Sequence, residues 1–183
     1  MPTPIDQLQA EHRVIEKGLR ALNGLSQRLE HGVAVDPAAF EKMFDFLEAF
    51  AEAYHHRKEE NCLFPALGLH GVPRDRGPIG VMLQEHCTGR ALIAHMKRAA
   101  SGYANGDEHA ARLFARSARD YVRLLTDHMH KEDQVVFRLA ESLLDSPAMQ
   151  ALQDEFDAAE RDAARVRAKY EKEAEDLERA WAG

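Results

Sequence analysis

Four histidines of this chain share a spacing to a charged neighbour. His55 is followed four residues later by Glu59, His128 by Glu132 and His12 by Glu16, while His86 is followed at the same distance by Arg90. On a helix, residues four apart lie on one face, one above the other. An imidazole and a carboxylate stacked in this way can reach one metal ion or two adjacent ions, and mixed nitrogen and oxygen ligation suits iron, manganese or zinc. One such pair on a helix is ordinary surface hydrogen bonding. Three such pairs, with a fourth histidine in the same register, point to a shared site.

Their apolar neighbours say which face these residues occupy. The stripes read Phe40, Phe44, Leu47, Ala51, His55, Glu59, Leu63, then Tyr121, Leu124, His128, Glu132, Val135, Leu139. Two shorter stripes read Leu8, His12, Glu16, Leu19 and Met82, Leu83, His86, Arg90, Ile93. The pairs therefore continue core-facing stripes, where a carboxylate is strongly disfavoured unless it is paired or bound to metal. The remaining histidines fall elsewhere: His31 and His70 in loops, His109 at a helix start, and His95 opposite His86. His56 and His130 are displaced from the stripes, where solvent-facing or ligand-supporting roles are expected. Cys62 and Cys87 read as small core residues.

Five helical segments follow from apolar periodicity and stop signals. The first is expected over about Pro4–Leu29. Asp36 followed by Pro37 is an N-cap with a first-turn proline, so the second starts there and ends near Pro65–Leu67. The glycines and prolines of 67–78 make a loop, the third segment covers about Ile79–Ala100, and 101–107 is a turn. The fourth covers about Glu108–Leu144, and Ser146–Pro147 restarts a fifth. Its stripe is Met149, Leu152, Phe156, Ala159, Ala163, Val166, Tyr170, Ala174, Leu177 and Trp181, on an otherwise charged helix. The expected fold is all-α: an up-down four-helix bundle over 1–145, with an additional C-terminal amphipathic helix over 146–183. That helix packs across the bundle or pairs with a second copy as a homodimer. Four facing helices of a bundle can converge side chains on one central site.

The net charge of -7 argues against a nucleic-acid partner. No apolar run approaches the roughly 20 residues of a membrane span. The first residues lack the basic and apolar regions of a signal peptide, and two cysteines make no disulfide framework, so a cytoplasmic location is expected.

At these residues the sequence resembles the hemerythrin-like, HHE cation-binding domain family. The matching pieces are EHRVIE (11–16), HHRKEENCLFPAL (55–67), EHCTGR (85–90) and HMHKEDQVVF (128–137), within about 5–145. The resemblance implies a bundle with two non-haem iron ions per chain in a bridged di-iron centre. It implies His12, His55, His86 and His128 as iron ligands and Glu59 and Glu132 as bridging carboxylates, with Asp133 the alternative to Glu132. The third segment departs from the oxygen-carrier pattern, because Arg90 stands where a second histidine would be. Glu16 could replace that ligand. Arg90 either pairs with Glu16 or another acid near the metals, or reaches outward into solvent.

A glutamate-richer site favours oxidised irons, which argues against reversible dioxygen carriage. The expected function is binding or reduction of a small oxidant (dioxygen, nitric oxide or peroxide), as an oxidoreductase served by an electron donor. The alternative is a non-enzymatic iron store or an iron or oxygen sensor. A ferritin-like oxidase needs Glu-x-x-His on two helices, and only Glu52–His55 fits.

Overall fold

The computed structural model describes residues 2–107 and 109–182, with backbone alone over 162–165. Helix α1, Pro4–Glu30, opens on a reciprocal cap: the Thr3 hydroxyl accepts from the Asp6 amide (3.1 Å), and the Asp6 carboxylate accepts from the Thr3 amide (2.8 Å). Helix α2, residues 37–69, starts where Asp36 caps the Ala38 amide and Pro37 fills the first turn. It is α-helical over Pro37–Phe46, π-helical over Leu47–His56 and Glu59–Leu63, and α-helical again over Phe64–Leu69. Helix α3 is Gly77–Ala104. Helix α4, residues 110–143, is α-helical over Ala110–Lys131, π-helical over Glu132–Val136 and α-helical over Phe137–Leu143. Helix α5, Ser146–Trp181, is capped by Asp145 through the Ala148 amide. No strand occurs among the described residues, and no described helix is long and apolar enough to cross a membrane.

The third helix outruns its expected end at Ala100. Its last turn is held from outside: the Tyr103 hydroxyl accepts from the Val35 amide (3.0 Å) and its ring lies 5.6 Å from that of Phe40. These tertiary contacts outweigh the weak helix preference of Ser101 and Gly102.

Side-chain pairs fix the helix directions. Glu11 meets Lys58 while Gly18 meets Phe46, so α1 and α2 are antiparallel. Glu60 with His86 and Glu48 with Lys97 do the same for α2 and α3. Glu85 with His128 and Gly102 with Ala110 oppose α3 and α4. His12 with Asp133 and Glu30 with Arg119 oppose α1 and α4. Helix α5 lies on its own chain. It runs along α1 in the same direction (Lys17–Glu175, Arg20–Glu178) and against α2 in the opposite one (Lys58–Glu160, Asp45–Lys169). Leu152, Phe156, Tyr170, Ala174 and Leu177 of its stripe are buried, Met149, Val166 and Trp181 are half-buried, and Ala159 is exposed. Ala163 lies outside the residues whose side chains are described.

Two apolar clusters form the core. One holds Ile15, Leu22, Phe46, Phe50, Phe114 and Tyr121; the other holds Leu8, Leu63, Phe64, Phe137 and Phe156. Along each helix the histidines fall between residues of the two, so a polar layer is sealed at both ends. Close helix approach sets this geometry. A Cβ on Gly18 would stand 2.1 Å from the Phe46 ring, which is fully buried and cannot swing away. Gly18→Val is therefore expected to destabilise the fold by ~1–3 kcal/mol through overpacking. Urea unfolding reads this as a lower midpoint, and an unchanged midpoint would show that α1 and α2 need no glycine there.

Candidate metal centre

The π-helical stretches are what aim the side chains. Closing hydrogen bonds five residues back instead of four widens the turn and places an extra residue on the inner face, and such bulges recur at functional sites. Within Leu47–His56 the adjacent residues His55 and His56 are both buried, at 0% and 1% exposure. The same device in α4 shifts the stripe beyond Glu132. Val136, Phe137 and Ala140 face the core, whereas Val135, expected there from a regular period, is 49% exposed.

Glu59 and Glu132 each serve two helical neighbours. Glu59 Oε1 lies 3.3 Å from His55 Nε2, and its Oε2 lies 3.5 Å from His86 Nε2. Glu132 Oε2 lies 3.3 Å from His12 Nε2, and its Oε1 lies 3.3 Å from His128 Nε2. The Nε2 atoms of His86 and His128 are 3.0 Å apart. The potential ligand atoms form two compact groups, His12, His55, Glu59, Glu132 and His56, Glu59, His86, His128, with the atoms of each group within 4.8 Å of one another. Glu59 belongs to both, and Glu132 reaches the second through His128.

The donor set fits metal ions. Both oxygens of Glu59 and of Glu132, both ring nitrogens of His56, and Nε2 of His12 and His55 are buried without a hydrogen-bond partner. Leaving so many polar atoms unmatched in an apolar core is very unfavourable. Cations between the two glutamates would satisfy all four oxygens at once.

The carboxylates and imidazoles of the layer also compensate one another electrostatically. Burial opposes charge on His55, but the Glu59 carboxylate and the hydrogen bond to Glu11 prevail and push its pKa up to about 10. His128 is likewise pushed up to about 10 against burial, by Glu132 and Glu85. Burial and the Glu132 charge push the Glu59 carboxyl up, yet His55 and His86 hold it well below the usual carboxylate range. Glu132 is held well below that range, against burial, by His128 and His12. His56 behaves oppositely. Burial and the nearby His86 charge push its pKa far down, leaving the neutral imidazole that metal ligation requires.

An outer ring orients the four paired histidines. His12 Nδ1 lies 3.2 Å from Asp133, His55 Nδ1 2.9 Å from Glu11, His86 Nδ1 2.7 Å from Glu60, and His128 Nδ1 3.0 Å from Glu85. Each acid comes from the preceding helix, with α4 closing the cycle onto α1. Each acid is also paired with a cation from the histidine's own helix: Arg13, Lys58, Arg90 and Lys131 respectively. A carboxylate on Nδ1 fixes the ring so that Nε2 is the free, more basic nitrogen.

His12, His55, Glu59, His86, His128 and Glu132 thus come together as the spacing anticipated. Glu16 stands apart. Its side chain is 34% exposed and pairs with Arg13 at 2.7 Å, because one turn beyond His12 the α1 face turns away from the centre. His56 occupies the centre instead, contrary to the solvent-facing or supporting role expected of it. The available signal was the adjacent histidine pair itself; the π-helical turn that buries both has no sequence signature of that strength. Arg90 pairs with acids near the centre, Glu52 (2.8 Å) and Glu60 (2.5 Å), and not with Glu16. Asp133 supports His12 from outside. His31, His70, His95 and His130 are exposed. Cys62 is buried, but Cys87, expected in the core, is exposed.

Comparison with known proteins agrees with this geometry. The profile of the hemerythrin HHE cation binding domain matches residues 3–140. An uncharacterized protein of Mycobacterium tuberculosis and one of Mycobacterium bovis are each 25% identical to the chain over 158 residues, covering 86% of it. The chain spans 61% of the length of these curated relatives. No solved structure matches it.

The two adjacent acids on α4 make a direct test. Glu132→Gln is expected to abolish stable metal binding, because it removes a charge shared between both groups. Asp133→Asn is expected to weaken binding only ~10-fold, as for a residue that orients a ligand. Elemental analysis after equilibrium dialysis separates the two, and the reverse order would make Asp133, not Glu132, the acid that holds metal.

Proposed function

This chain belongs to the hemerythrin HHE cation-binding domain family, and we propose that it is a non-haem di-iron protein that binds or reduces a small oxidant: dioxygen, nitric oxide or peroxide. The observation that carries this reading is the placement of Glu59 and Glu132, each with one oxygen toward either of two histidine groups. In this reading His12 and His55 hold one iron, His56, His86 and His128 hold the other, and the two glutamates bridge them in an up-down four-helix bundle. Imidazole with carboxylate suits iron among the available metals. A bound iron pair would supply electrons to a small oxidant, and an electron donor would restore them.

The surrounding residues limit what can enter. All seven side chains are 0–1% exposed. The Phe137 ring stacks 5.3 Å from His12, and the Phe64 ring 6.0 Å from His86. Such walls exclude water and any substrate larger than a few atoms, which favours a gas or peroxide over an organic molecule. His56 also changes the argument about dioxygen. With it the candidate set is five imidazoles and two carboxylates, so the glutamate-rich site that Glu16 would have made does not arise. Dioxygen therefore stands beside nitric oxide and peroxide as a candidate ligand.

Anaerobic loading with ferrous iron should give about two irons per chain. Separate exposure to dioxygen, nitric oxide and peroxide, followed by optical spectroscopy, then selects the function. A stable oxygenated band, a nitrosyl band or rapid peroxide loss each names a ligand. Iron uptake without response to any of the three would overturn the oxidant reading in favour of storage or sensing. His56→Ala should lower the iron content toward one per chain.

A further inference from the structure

The four outer supports are not equivalent. Arg13, Arg90 and Lys131 are 60%, 44% and 38% exposed, so water can solvate each of these cations whatever else surrounds it. Lys58 is 3% exposed, and its partner Glu11 is 1% exposed. A buried ammonium is tolerable only when its charge and its donors are matched by the protein. Glu11 supplies part of that match. The rest comes from α5, beyond the residues that the family profile covers. Glu160 Oε1 lies 3.3 Å from Lys58 Nζ and accepts a 2.5 Å hydrogen bond from the Tyr54 hydroxyl. Phe156 of the same helix closes over the ammonium, with its ring centre 5.3 Å from Nζ, and the Tyr54 ring lies 4.1 Å away on another side.

We propose that the C-terminal helix is a working part of the metal centre, with Glu160 a positioning residue that acts on His55 through Lys58 and Glu11. Glu160 and Phe156 hold Lys58 in place, Lys58 holds the Glu11 carboxylate, and Glu11 holds His55 Nδ1 so that Nε2 points at Glu59. Metal binding at the His12–His55 position and docking of the first half of α5 are then linked. Whatever strengthens one strengthens the other by the same factor, as thermodynamic linkage requires. A partner that pulled α5 from the bundle would loosen one metal position selectively. This inference rests on the di-metal reading above and adds to it a helix outside the family domain.

The test uses the full chain and two charge-removing variants of the same helix. Glu160→Gln cuts the link to Lys58, while Glu175→Gln cuts only the surface pair with Lys17. Anaerobic ferrous titration is expected to show two binding steps in the wild type. One step should be weakened about tenfold in Glu160→Gln, with neither changed in Glu175→Gln. Amide hydrogen exchange over 146–161 should slow on iron loading in the wild type, and this slowing should be lost in Glu160→Gln. Wild-type iron binding with equal affinities in Glu160→Gln and iron-independent exchange in α5 would overturn the coupling and leave the proposed function intact. A wild type that takes up no iron would overturn the proposed function, and the coupling with it.

Discussion

Two glutamates with no access to solvent, Glu59 and Glu132, lie in the middle of an apolar bundle, and the rest of the architecture answers to that fact. A bare buried carboxylate is so unfavourable that such groups persist only when opposite charge or metal is supplied beside them. Here the first compensation comes from four imidazoles, His12, His55, His86 and His128, that converge on the same layer from helices α1 to α4. The imidazoles in turn need fixed tautomers and orientations. Asp133, Glu11, Glu60 and Glu85 provide these by gripping Nδ1. Those acids are balanced by Arg13, Arg90 and Lys131 nearer the surface and by the buried Lys58. Charge thus alternates outward from the centre through three layers.

The helices had to be distorted to achieve this. A regular α-helix turns adjacent residues about 100° apart, so His55 and His56 would meet different neighbours. Both are buried in the π-helical stretch that ends at His56, and the second such stretch, over Glu132–Val136, resets the packing face from Glu132 onward. The apolar clusters above and below are packed with Phe46, Phe50, Phe114, Phe64 and Phe137 at full burial. Tight layers on both sides supply the rigidity that holds a widened turn in place, and they bury the polar layer, which strengthens the interactions within it.

The same constraint reaches the supports. The grip on each imidazole differs between them, since only the Lys58 link is buried under α5.

Much of the site was legible in the chain itself. Stripes of period three to four with His and Glu in phase require buried polar side chains at fixed heights, because helical spacing is set by local backbone geometry alone. That reasoning found His12, His55, Glu59, His86, His128 and Glu132, the helical segments to within a few residues, and the all-α class. It failed where helices depart from the regular period or where a neighbour decides. Glu16 obeyed the spacing yet turned outward to Arg13, and His56 broke the spacing yet entered the centre, because a π-helical turn is stabilised by packing between helices and leaves no periodic trace. The acids gripping Nδ1 were equally hidden, since each lies on a different helix from its histidine. Local spacing determined which residues share a face; only the tertiary structure, by bringing five helices to specific heights, decided which of them share a site.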